Sequence, residues 1–125
     1  MTGTFVSGEP AAMMQETQAH VVVMISAPNE EEAVSLARKL VEGRLAACVQ
    51  IHPIRSIYIW QTSLCDDQEH LLLVKTRADL LDTLETTVQI HHPYQVPEIT
   101  VVPILMGAAS YLRWMDEQVE GTSGT

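Results

Sequence analysis

Apolar residues crowd first into "HVVVMISA", residues 20–27, a β-branched run stopped by Pro28. A short unbroken apolar run of this kind predicts a central strand covered on both faces. The period then changes, because Ala33, Leu36, Ala37, Leu40 and Val41 fall at i, i+3, i+4, i+7 and i+8, the stripe of a helix. Asn29 stands three residues before Glu32 and is placed to cap that helix, while Glu30, Glu31 and Glu32 put negative charge where its dipole favours it. Gly43 supplies the stop.

From Leu45 to Thr62 the chain reads "LAACVQIHPIRSIYIWQT", rich in β-formers, with Pro53 predicting a bulge or an edge position. "SLCDDQ" reads as a turn and "EHLLLVKT" as the returning strand. A strand of about 14 residues spans about 45 Å, against about 35 Å for a globule of this size, so the hairpin is expected to project and pair with a neighbouring chain. Thr76 is placed to cap a second helix with the stripe Ala78, Leu81, Leu84 and Val88, ending near His91. After Pro93, "VPEITVVPIL" reads as a strand that Pro97 and Pro103 bend or confine to an edge. Gly107 opens a last helix carrying Ala108, Leu112, Met115 and Val119.

This order predicts an α+β protein of the ferredoxin-like βαββαβ type, with an extended hairpin between its second and third strands and an extra C-terminal helix. Both crossover helices would cover one sheet face, leaving the other bare and apolar, a second reason to expect subunits to associate. The domain is expected at residues 18–119, with disordered tails at 1–17 and 120–125, where no periodicity persists.

Charge narrows the partners. Sixteen acids oppose seven bases for a net charge of −9, so no basic patch is available to track nucleic acid or an anionic membrane. The first basic residue is Arg38, and no apolar run approaches the roughly 18 residues of a membrane span, so a cytoplasmic location is expected. Cys48 and Cys65 are too few for a disulfide framework and read as reduced, with Cys48 in the core.

No Gly-rich phosphate loop, G-x-S-x-G elbow or H-E-x-x-H motif occurs, and no enzymatic activity is expected. Cys65, Asp66, Asp67, Glu69 and His70 read as a solvated turn rather than a ligand set. Lys75 shares strand parity with Leu71 and Leu73, and is either a snorkelling strand-end lysine or an anion-binding group. In "IHHPYQVPEI", residues 90–99, His91 and His92 are adjacent. Neighbours diverge by about 100° on a helix and point to opposite faces of a strand, so spacing alone favours a helix-to-strand junction over a chelate.

The segments "LAACVQI", "SIYIW", "LLLVKT", "HHPYQVPEI" and "YLRW", in this order and at these separations, closely resemble the CutA family of divalent-cation tolerance proteins. The resemblance runs from about Val21 to Val119. It implies a ferredoxin-like protomer in a homotrimer whose hairpins pair across subunits, and a role with copper or another divalent cation rather than catalysis. It also implies His91 and His92 as metal ligands. A first-strand cysteine that joins them in some members is matched here by Ile25, which removes a soft thiolate and leaves imidazoles suited to Cu(II) or Zn. Where many members read Trp-Glu-Gly-Lys after the hairpin's aromatic run, this chain reads "WQTS".

Two further functions stand beside cation tolerance. CutA architecture resembles the PII-type signalling trimers, so a small molecule could sit in an intersubunit cleft lined by Trp60, Lys75, Tyr94 and Glu98. The other is a scaffold trimer, marked by an exposed apolar patch.

Overall fold

The elements form where the apolar period changes. In chain order they are β1 (Met14–Glu16), β2 (His20–Ala27), α1 (Glu30–Glu42), β3 (Cys48–Trp60), β4 (Ser63–Arg77), a single 3-10 turn (Ala78–Leu80), α2 (Leu81–His91), β5 (Ile99–Pro103), β6 (Met106–Ala108) and α3 (Ala109–Gln118). This is a computed structural model, and it describes residues 13–119 and 121. The tails expected at residues 1–12, and at 120 and 122–125, lie outside the described residues.

Four strands make one antiparallel sheet in the order β3-β4-β2-β5, the ferredoxin-like order. Alternation sorts its side chains. Val23 and Ile25 of β2 and Leu72 and Val74 of β4 are fully buried against Leu36 and Leu40 of α1 and Leu84 and Val88 of α2. Each such side chain stabilises the fold by about 1.5–3 kcal/mol. Val22, Met24, Leu71 and Leu73 point the other way and are half-buried, so the second face is apolar as expected but partly covered rather than bare. Asn29 caps α1 as expected, its side-chain oxygen accepting from the Glu32 N–H at 2.8 Å. Gly43 ends the helix, although the left-handed residue is Arg44, with φ 61°.

The hairpin differs from expectation at its tip. Ser63–Gln68 are strand, and the turn is the two residues Gln61 and Thr62, with φ 51° and 68°. Positive φ at both positions is what a two-residue hairpin turn needs to match strand twist, and neither residue type announces it. Pairing then runs unbroken from Trp60↔Ser63 to Cys48↔Lys75, so Pro53 makes no bulge. It lies on the edge strand opposite His70, and counting the alternation from the turn puts it in a non-hydrogen-bonded pair, where its missing N–H faces away from β4. Since β2 pairs with β4 only over His70–Arg77, residues 54–69 continue as a two-stranded ribbon beyond the four-stranded sheet.

Four other expectations change. Thr76 does not cap α2; it is a fully buried residue of β4 whose hydroxyl donates to the Leu45 carbonyl at 2.7 Å. Gly107 lies in β6, which pairs with β1, so the last helix starts at Ala109 and the chain is already structured at Met14. Backbone pairing suffices there, because all three β1 residues are exposed. Cys48 is half-buried on the second face rather than in the core.

α3 closes a second cluster of Ala47, Leu80, Leu112, Met115 and Val119. Polar contacts fix it to the sheet. His20 Nε2 meets Asp116 at 2.9 Å and its Nδ1 meets the Thr17 hydroxyl at 2.6 Å, while the buried Arg77 holds Asp79 at 3.0 Å and the Gly121 carbonyl at 2.9 Å.

Candidate ligand cleft

A cleft opens where the ribbon leaves the sheet. Pro93 forces His92 out of the helical region, and His92 ends α2 with φ −84° and ψ 138°. The chain then crosses the end of β2. His92 is 8% exposed and is held at both ring nitrogens. The Ser26 carbonyl, 2.7 Å from Nε2, can only accept, and the Tyr94 N–H, 3.0 Å from Nδ1, can only donate. These partners require the tautomer with the proton on Nε2.

That anchor aims Tyr94, whose ring centroid lies 5.0 Å from that of His92, and the Tyr94 hydroxyl donates to Glu69 at 2.6 Å. Glu69 is a carboxylate only 5% exposed. Burial, then the bond to Glu69, pushes the Tyr94 phenol above its usual value of 10.0. On the ribbon the Tyr58 hydroxyl donates to Asp67 at 2.7 Å, and that bond, with the neighbouring negative charge, pushes the Tyr58 phenol upward as well.

Between loop and ribbon lies a cleft of about 690 Å³. Ser26 at the end of β2 and Pro93 and Tyr94 of the loop line it together with Ser56, Ile57, Tyr58, Trp60 and Glu69 of the ribbon. Gln95, Val96 and Glu98 complete the lining. The volume is in the range of small-molecule sites, roughly 300–1,000 Å³.

Of the residues anticipated for a cleft, Trp60, Tyr94 and Glu98 come together here. Lys75 does not line it; its ammonium sits 5.6 Å from the centre of the Tyr111 ring, beside α3. Lys75 shares a face with Glu69, but six residues of strand separate them by about 20 Å. Tyr58 and Glu69 were not anticipated. Taking Ser63–Gln68 for a turn hid both, although pairing counted back from Gln61 and Thr62 sets Tyr58 beside Asp67 and brings Glu69 to the cleft.

The expected acidic turn is a strand whose members alternate between faces. Asp66 takes two hydrogen bonds from the Arg55 guanidinium, both 2.7 Å, which hold its carboxyl below the usual value, while Asp67 and Glu69 serve the two tyrosines. The adjacent histidines diverge: His91 is exposed at the end of α2, and His92 points inward with both nitrogens engaged. They do not fit a chelating pair within one chain, because a metal on His92 would have to displace one of its two partners. Among the described residues no three His, Cys, Asp or Glu side chains are grouped to hold a metal ion. None of their helices is long and apolar enough to cross a membrane.

Comparison with known proteins adds a family context. The family model for "CutA1 divalent ion tolerance protein" matches residues 21–118. The divalent-cation tolerance protein CutA of Thermus thermophilus is 50% identical over 97 residues, which cover 77% of this chain and 94% of that protein. The chloroplastic CutA protein of Arabidopsis thaliana is 42% identical over 101 residues, covering 80% of this chain but 56% of the relative's length. Among solved structures, CutA from Synechococcus elongatus superposes with a TM-score of 0.84 at 33% identity, covering 87% of this chain and 97% of the other.

Proposed function

The chain belongs to the CutA1 divalent ion tolerance family, and from that premise we propose that it is a cytoplasmic, non-enzymatic homotrimer whose divalent-cation contacts are assembled between subunits. The observation that carries this reading is the ribbon of residues 54–69, open along both outer edges and continuous with a half-buried apolar sheet face. Unpaired edges and apolar faces of this extent are completed by association. Cation contact would use the exposed His91 together with groups from a neighbouring subunit, since the inward His92 offers no free lone pair. With Ile25 where a thiolate could stand, an imidazole site suits Cu(II) or Zn(II) better than Cu(I).

Native mass spectrometry of the full chain with Cu(II) and Zn(II), alongside His91→Ala and His92→Ala, tests this. The expected result is a trimer that binds ion in the wild type and loses it in His91→Ala. A monomer at micromolar concentration, or equal ion uptake by His91→Ala, would refute the proposal.

A second reading has its own support. The half-open cleft brings together aromatic rings, carboxylates and apolar side chains, the kinds of group that line small-molecule sites, as in a sensor trimer of the PII type. A saturable calorimetric signal with any small molecule, lost in Trp60→Ala, is the expected outcome of that reading.

A further inference from the structure

We infer that the cleft selects a small organic cation, an ammonium or guanidinium carried on a short carbon frame. This rests on the small-molecule reading of the same cleft and goes further by assigning the ligand its charge. Three aromatic rings (Tyr58, Trp60 and Tyr94) and two carboxylates (Glu69 and Glu98) line the cleft, and among the described residues no lysine, arginine or histidine does.

The hydrogen bonds sharpen that sign. Both phenol protons are already spent on carboxylates, Tyr94 on Glu69 and Tyr58 on Asp67, so the two tyrosines offer a ligand ring faces and oxygen lone pairs rather than donors. A cation over an aromatic face gains from the ring quadrupole, and a carboxylate nearby adds Coulomb attraction. An anion would meet two negative groups with no positive partner.

The cations that could have reversed this lie elsewhere. Arg55 is bound to Asp66 on the opposite face of the ribbon, and Lys75 lies against Tyr111. The net charge of −9 draws cations generally. Pro93 and Val96 supply apolar wall that fits a carbon frame and gives nothing to the shell of a hydrated metal ion.

Calorimetry on the full chain tests the assignment with choline and agmatine as cations and 3,3-dimethyl-1-butanol as the uncharged isostere of choline. ATP and citrate serve as anions. Saturable binding of at least one cation is expected, with the uncharged isostere at least tenfold weaker. Glu98→Gln, at an exposed position, is expected to weaken the cation about tenfold, and Trp60→Ala likewise. Glu69→Gln serves as a buried counterpart, with its folding checked by circular dichroism.

Equal binding of the uncharged isostere overturns the charge assignment. Tighter binding of ATP or citrate that Trp60→Ala abolishes also overturns it, while leaving a small-molecule cleft in place. If no probe of either charge binds, or the ribbon of a second copy fills the cleft, the small-molecule reading falls together with this one.

Discussion

The two adjacent histidines are expected to behave as unlike residues when each is replaced by alanine. His92→Ala removes the donor to the Ser26 carbonyl at 2.7 Å and the acceptor for the Tyr94 N–H at 3.0 Å. A buried carbonyl left without a partner costs about 1–3 kcal/mol, and the partly buried N–H about 1 kcal/mol more. The total is about 3 kcal/mol, before any loss of the ring contact with Tyr94. His91→Ala removes an exposed side chain at a helix end, for which surface substitutions cost about 0.5 kcal/mol or less. Urea unfolding followed by circular dichroism at one fixed protein concentration, so that any assembly contributes equally, measures both. With a slope of about 1.5 kcal/mol/M, His92→Ala should lower the midpoint by about 2 M. His92→Gln, which keeps one donor and one acceptor, should recover part of that loss. Equal midpoints for the two alanine variants would sink the assignment of His92 as the anchor of the cleft loop.

Two further outcomes follow from the hairpin and the tyrosines. Gln61→Asn combined with Thr62→Gly should raise stability by about 1–2 kcal/mol in the same urea assay, because both native residues hold positive φ that Asn and Gly adopt more cheaply; an unchanged or lower midpoint would refute the turn geometry. The phenols of Tyr58, Tyr94 and Tyr111 are all pushed above 10.0, Tyr58 chiefly by its bond to Asp67 and the other two chiefly by burial. Absorbance at the tyrosinate band should therefore rise at higher pH in the folded chain than in urea. The sign is set by linkage: a raised folded value contributes stability that is fully present below pH 10 and is lost as pH climbs beyond it. Coincident titration curves would contradict this.

Much of the fold was legible because periodicity and sheet order are properties of long segments. The stripe of α1, its Asn29 cap and the buried β2 run all follow from side-chain spacing. What escaped were places where one residue type has two uses. Thr76 has the chemistry of a cap, yet its hydroxyl satisfies the Leu45 carbonyl inside the core. Asp66 and Asp67 look like turn residues, but cross-strand partners from β3 hold them in a strand. Of the residues expected around an intersubunit cleft, Trp60, Tyr94 and Glu98 line one cleft within this chain, whereas Lys75 lies against Tyr111, because parity gives the face of a strand and not the distance along it. Glu69 was hidden because its burial depends on Tyr94, 25 residues away in sequence.

Pro53 has a consequence for how the outer edge of β3 can be read by another strand. The outward-facing positions of that edge alternate as Val49, Ile51, Pro53, Arg55, Ile57 and Ile59, and the third of these lacks an amide proton. A strand laid along the edge therefore meets a gap in its ladder at that point. It can zip over the tip-side run from Ile54 to Trp60, about 23 Å of backbone, and loses a rung as soon as it slides past. The proline thus works as an end stop that makes one alignment cheaper than its neighbours, so a single ring controls the register of edge-to-edge pairing.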